Sequence, residues 1–201
     1  MTENGLGRRR QRDIIDRNAV ADEISVALTD SSVSEQRSKA LAVLQAALRE
    51  GREEISRRLI TMPSSGRSSA TDQAFLIDQI IRIAYDFVTT SLFPVANRSA
   101  AEKIAVVAVG GYGRGEMAPH SDVDIAFITP YKRTGWTEQV VEAMLYFLWD
   151  LGLKVGQSSR SIDETIKMAL EDLTIRTALL EGRFVWGDRE VYEEASIRFW
   201  N

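Results

Sequence analysis

Two aspartates, Asp122 and Asp124, are separated by one residue at the start of the apolar run VDIAFI. In a β-strand, residues two apart point to the same face of the sheet, so this spacing predicts two carboxylates side by side. Val123, Ile125 and Phe127 then face the core. Two carboxylates held so close repel each other unless a cation lies between them, and Mg²⁺ or Mn²⁺ is a natural partner for oxygen ligands. The spacing therefore predicts a metal site at Asp122 and Asp124.

A glycine-rich turn precedes these aspartates. Gly110, Gly111, Gly113 and Gly115 occupy four of the six positions that follow the apolar run IAVVAV. The backbone N–H groups of a Gly-Gly turn can approach a triphosphate without obstruction by side chains. If a metal on the carboxylates holds the same phosphates from the other side, the combination predicts a site for phosphoryl transfer with departure of pyrophosphate.

The spacing of the glycines argues against two other nucleotide motifs. A dinucleotide-binding fold needs G-x-G-x-x-G leading directly into a helix, whereas this chain has G-x-G-x-G followed by Pro119 and a second strand. A phosphate-binding P-loop needs Gly-Lys-Ser or Gly-Lys-Thr after its glycines, and this stretch contains neither. The metal-dependent nucleotide site is the interpretation that fits the spacing.

The elements that must position these residues are short strands and one helix. IAVVAV, VDIAFI and the weaker LKVGQS read as three strands, and TEQVVEAMLYFLWDLG, between the second and third, has helical spacing with Gly152 just past its end. Ser161 and Glu164 form a predicted capping box, which begins a helical segment that runs with interruptions to LLEGRFVWG. We predict an α/β (α+β) domain with a small mixed sheet.

The N-terminal half is predicted to be helical. Apolar residues recur at helical spacing from Asp13 to Thr29, between Ala40 and Ile60, and again from Phe75 to Val88. TMPSSGRSSATD reads as a loop, with Thr71 or Asp72 as the cap of the third helix. We expect a flexible tail over residues 1–12, a helical region over 13–97, and the catalytic core with the start of a further helical region over 98–201.

Composition narrows the classes of function. The 201 residues carry a net charge of −4, which argues against general nucleic-acid binding, because such binding depends on clustered Lys and Arg. There is no cysteine, which excludes disulfides and thiolate metal sites and fits a reducing compartment. No apolar run approaches the length of a membrane span. We expect a cytoplasmic protein without a membrane partner.

The quoted motifs resemble a known family. Gly110-Gly111 followed by Asp122 and Asp124 is similar to the signature of the DNA polymerase beta-type nucleotidyltransferase superfamily. GGYGRGEMAPHSDVDIAFI, LWDLGLKVGQSSRSIDET and EDLTIRTALLEGRFVWGD more narrowly resemble the N-terminal nucleotidyltransferase domain of the bacterial protein-PII uridylyltransferase/uridylyl-removing enzymes. The resemblance implies a polymerase beta-like fold and transfer of UMP from UTP to a tyrosine of the PII nitrogen regulatory protein.

The same resemblance implies roles for individual residues. Asp122 and Asp124 would be catalytic and would bind Mg²⁺ or Mn²⁺, while Gly110 and Gly111 would line the triphosphate. Ser121 and Arg114 would be further phosphate contacts. The enzymes resembled are several times longer, with uridylyl-removing and ligand-sensing domains beyond this region. We therefore expect these 201 residues to be a fragment or a truncated form.

One expected residue has no obvious counterpart. Superfamily members commonly carry a third acidic residue on the strand after the helix, but here that strand reads LKVGQSS. Asp150, at the end of the helix, and Asp163, beyond the strand, are the candidate substitutes. Two alternatives stay open: a stand-alone nucleotidyltransferase with another acceptor, and a module that binds a nucleotide or a partner without turnover.

Overall fold

The helix and strand patterns produce a mixed sheet preceded by a helical region. The computed structural model describes residues 11–29, 31–95 and 99–201. In that part of the chain the helices are α1 (Arg17–Leu28), α2 (Val33–Thr61), α3 (Gly66–Phe87), α4 (Gly110–Gly113), α5 (Gly135–Asp150), α6 (Ile162–Glu171), α7 (Leu173–Leu180) and α8 (Arg189–Trp200). The strands are β1 (Ala105–Ala108), β2 (Val123–Thr129), β3 (Val155–Ser161) and β4 (Arg183–Gly187). The predicted fold class is confirmed.

The sheet has the strand order β3-β2-β1-β4. β1 is antiparallel to both of its neighbours, β2 and β4, whereas β2 and β3 are parallel. A parallel pair needs a crossover connection, and α5 supplies it with Leu151 and Gly152 at its end. Gly152 adopts a positive φ of 75°, as predicted for the residue after the helix. The parallel register places Asp124 of β2 beside Gly156 of β3.

Helices cover both faces of the sheet. On one face, the alternate strand residues Val106, Ile125 and Phe127 join the main core, to which the buried sides of α1, α2, α3 and α5 contribute. On the other face, Ala126 and Ile128 belong to a second, smaller cluster with residues of α6 and α8. Because alternate residues of a strand face opposite sides, Asp124 lies on the face of Ala126 and Ile128.

The predicted loop over residues 61–72 is wrong for most of its length. Only Pro63–Ser65 forms a short turn, and α3 begins at Gly66 rather than after Thr71 or Asp72. Local composition favours a loop, but Ser69 and Asp72 are buried within this segment, and Asp72 pairs with the buried Arg58 of α2 at 3.4 Å. Tertiary packing therefore overrides the weak helix propensity of the Gly/Ser-rich stretch.

The predicted helical segment after Ser161 is correct at its start and wrong at its end. The capping box of Ser161 and Glu164 is present and opens α6. Asp172 then ends α6 and caps α7, and residues 183–187 form β4 instead of helix. Among the described strands, β4 pairs only with β1, which is distant in sequence, so its place in the sheet depends on a contact that local patterns do not contain.

Two further expectations from the sequence concern the N-terminal tail and membrane-spanning segments. The predicted tail over residues 1–12 lies outside the described residues except for Gln11 and Arg12, which belong to a short helical turn with Asp13. Among the described residues, no helix combines the length and the apolar character needed to cross a bilayer.

Candidate active site

The carboxylate of Asp124 lies between two glycines. Gly110, the first residue of α4, has a φ of 58°, and a Cβ at this position would lie 3.4 Å from Oδ2 of Asp124. On the other side, a Cβ on Gly156 would lie far inside van der Waals distance of Oδ1. The backbone N–H of Val109 also donates to the Asp124 carbonyl oxygen at 3.0 Å, which joins the glycine turn to β2. These contacts position the carboxylate where β1, β2 and β3 meet.

The charge of this carboxylate is destabilised by its surroundings. Partial burial raises the pKa of Asp124, and the neighbouring negative charge of Asp122 raises it further. Asp122 is exposed and directly precedes β2. The predicted pair of neighbouring carboxylates is therefore present, with one member half-buried and the other in solvent.

A cleft of about 280 Å³ opens beside Asp124. Its floor consists of Asp124 and Gly156 on one face of the sheet and of Gly110 at the start of α4, and α7 forms its opposite wall. A larger groove of about 580 Å³ lies along α2 but contains none of the predicted site residues. The chemistry of the side chains, and not the size of the cavity, identifies the smaller cleft as the candidate site.

A buried hydrogen-bond network supports the glycine turn from behind. The Tyr112 hydroxyl, on α4, donates to Oδ1 of Asp78 at 2.6 Å, and Arg183 donates to both oxygens of Asp78 at 2.7 and 3.0 Å. Arg183 also donates to the carbonyl oxygens of Tyr112 and Gly113, both at 3.3 Å, at the end of α4. The network connects α3, β4 and the turn.

The other predicted site residues lie outside the lining of the cleft. Gly111 is the second residue of the single turn of α4, and Arg114 follows that turn with Nη1 2.6 Å from Oε1 of Glu181. Ser121 is exposed, and its backbone N–H donates to Ala118. The structure thus brings Gly110 and Asp124 together in the cleft, with Asp122 adjacent, and places Gly111, Arg114 and Ser121 around it.

Neither candidate for a third carboxylate lines the cleft. Asp150 pairs with Arg37 of α2, and Asp163 pairs with Arg198 of α8 at 2.7 Å. Within residues 11–29, 31–95 and 99–201, no group of three or more acidic or histidine side chains could hold a metal ion together. The positions of Asp150 and Asp163 therefore do not support either of them as the expected third acidic residue.

Sequence reasoning missed several residues around the site. Gly156 carried a signal, because an isolated glycine inside a strand often marks a close approach by another group. Asp78 carried a weaker one, since it is an acidic residue in the strongly apolar pattern of α3. No local pattern indicated Arg183, because its role depends on the pairing of β4 with β1. Arg160, which also lines the cleft, was not identified either.

Comparison with protein families agrees with this geometry. Residues 94–185, which include β1, the glycine turn, both aspartates and β3, match the family described as nucleotidyltransferase domain. The chain therefore contains a nucleotidyltransferase domain, the class that the paired carboxylates and the glycine turn indicated.

Longer relatives identify the particular group. The chain is 59% identical over 95% of its length to the bifunctional uridylyltransferase/uridylyl-removing enzyme of Novosphingobium aromaticivorans, and 60% identical over 96% to that of Erythrobacter litoralis. It is 50% identical over 96% of its length to the enzyme of the same name from Rhodospirillum rubrum. The chain spans 21% of each of these relatives. The resemblance to uridylyltransferases that the motifs indicated is confirmed.

Proposed function

We propose that this chain transfers UMP from UTP to a tyrosine hydroxyl of a PII-type regulatory protein, with release of pyrophosphate. The observation that carries the proposal is the Asp124 carboxylate, which is held between Gly110 and Gly156 with Asp122 beside it. The name of the relatives supports uridylyl transfer. UTP and the PII protein are the partners that the proposal requires, and a cytoplasmic location fits both.

The donor set fits a divalent cation. Asp124 and Asp122 supply carboxylate oxygens, and burial, together with the negative charge of Asp122, raises the pKa of Asp124, so a cation would stabilise its ionised form. Mg²⁺ prefers such ligands and commonly shares them with substrate phosphates, so Asp122 and Asp124 would hold Mg²⁺ or Mn²⁺. When bound, the ion supplies electrostatic stabilisation of the charge that develops on the phosphates.

The chain's own residues then orient the nucleotide. Gly110 and Gly111 present backbone without side chains, which allows the triphosphate to lie against the turn. Ser121 and Arg114 would add phosphate contacts, and Arg114 would have to leave Glu181 to do so. The tyrosine oxygen attacks the α-phosphorus, the bond from that phosphorus to the bridging oxygen breaks, and pyrophosphate departs with the electron pair. The phenolic proton passes to solvent.

The proposal also divides the chain into functional regions. Residues 98–201 would hold the nucleotidyltransferase core, and the helical region 13–97 would support it. The supporting role of the helical region is argued from two contacts. α3 packs against β4 and α5, and the hydrogen bond from Tyr112 to Asp78 of α3 holds the glycine turn.

The test is transfer of label from UTP to PII in the presence of Mg²⁺ or Mn²⁺. The chain is compared with the double variant Asp122→Asn/Asp124→Asn and with the matched control Asp150→Asn/Asp163→Asn, which removes the same charge outside the cleft. We expect labelled PII from the chain and from the control, and none from the site variant. A folded chain that binds UTP without transfer would instead be a nucleotide-binding module, and equal label from both double variants would place the chemistry elsewhere.

A further inference from the structure

The cleft beside Asp124 has an apolar wall that the fold leaves open. The inner side of α7 presents Ile175, Ala178 and Leu179 to the cleft, and all three are only half-buried. α7 has no fully buried residue, and it packs mainly against α4 and α6 while the sheet lies across the cleft. Ala126 of β2 lines the opposite side. A flat apolar ligand, such as a nucleobase, would fill this space.

One basic side chain lines the same cleft. Arg160 lies four residues after Gly156 on β3, so the two share a face, and it is the only Arg or Lys among the described residues of the lining. At about 3.3 Å per residue, its Cα is about 13 Å along the strand from Gly156 and the aspartate pair. Arg160 is therefore at the end of the cleft that is distant from the carboxylates.

Arg160 is also not engaged by other groups. Within the described part of the chain it makes no hydrogen bond or ion pair. The acid whose charge it feels, Asp172, already accepts from the backbone N–H groups of Thr174 and Ile175 at 2.7 and 3.2 Å. A half-buried guanidinium with five donors and no acceptor remains free for a ligand.

We propose that Arg160 and the apolar face of α7 bind the uracil base, and that Arg160 selects uracil over cytosine. This inference rests on the proposed function. With the triphosphate at the glycine turn and the α-phosphate at the aspartates, the nucleoside extends toward β3 and α7. A guanidinium can only donate, so it matches the O4 carbonyl of uracil. The amino group of cytosine at the same position is also a donor and would leave Arg160 unpaired.

The experiment measures binding of UTP and CTP by calorimetry with Mg²⁺, for the chain and two variants. Arg160→Gln replaces the guanidinium with an amide that can both donate and accept. Arg176→Gln is the matched control, because Arg176 is exposed on α7 and does not line the cleft. We expect the chain to prefer UTP by about tenfold or more, Arg160→Gln to lose that preference, and Arg176→Gln to keep it.

Two outcomes would overturn the inference while the proposed function stands. One is an unchanged UTP preference in Arg160→Gln. The other is an equal loss of UTP and CTP affinity, which would mean that the guanidinium binds the phosphates common to both. Label transfer to PII by the unsubstituted chain, measured in parallel, separates the two proposals. If Arg160→Gln loses the preference for UTP while the unsubstituted chain transfers no label, base recognition is supported and turnover is refuted. A chain that binds neither nucleotide refutes both.

Discussion

Replacement of Gly156 by alanine tests whether the position of the Asp124 carboxylate carries the activity. The new Cβ would lie well under 3.0 Å from Oδ1 of Asp124, a distance that real Cβ atoms do not show, so the carboxylate must move by roughly 1 Å. Misplacement of a catalytic group by about 1 Å costs on the order of 100-fold in rate, or about 2.7 kcal/mol of transition-state stabilisation. We therefore expect transfer of UMP to PII to fall about 100-fold in Gly156→Ala.

The same substitution should not unfold the protein. Gly156 is exposed within β3, and alanine loses less conformational entropy there, which favours the folded state by roughly 0.5–1 kcal/mol. The melting temperature should then stay constant or rise by a few degrees, since about 1 kcal/mol corresponds to about 2–4 °C in a domain of this size.

The assay is label transfer at saturating Mg²⁺, with thermal unfolding of the same samples. Gly135→Ala is the matched control, because a Cβ at Gly135 meets no atom within 4 Å. It should keep both activity and melting temperature. Full activity in Gly156→Ala would refute the reasoning, since it would show that the chemistry does not depend on where this carboxylate lies.

Two further predictions concern the network behind the turn and the aspartate pair. Tyr112→Phe removes one hydrogen bond to the Asp78 carboxylate and should destabilise the fold by about 1.5–3 kcal/mol. Arg183→Met removes the ion-pair partner of that buried carboxylate and should destabilise the fold by about 3–5 kcal/mol. Chemical denaturation measures both, and a milder effect of Arg183→Met would contradict the network. Asp124→Asn should raise the melting temperature in chelator, because it removes a half-buried charge next to Asp122. Added Mg²⁺ should stabilise the unsubstituted chain but not this variant, and a variant that melts lower in chelator would contradict the repulsion.

Local patterns predicted much of this fold correctly. β1, β2, β3 and α5 appear where the short apolar runs and the helical spacing placed them, and the capping box at Ser161 begins a helix as expected. These features depend on residues within a few positions of one another, so a single sequence contains their signals. The loop expected over residues 61–72 failed because burial of Asp72 against Arg58 stabilises helix there, and that contact is not visible locally.

The amino-acid sequence by itself determined the chemistry of the candidate site. Asp124 lies on β2 and Asp122 directly precedes that strand, so their closeness follows from two-residue spacing, and the glycines of the turn lack side chains in any fold. Only the tertiary structure decided what surrounds them: Gly156 beside the Asp124 carboxylate, Arg183 and Asp78 behind the turn, and Arg160 at the far end of the cleft. The physical reason is that these neighbours arise from strand pairing and helix packing between distant segments, whereas the spacing of the carboxylates is local.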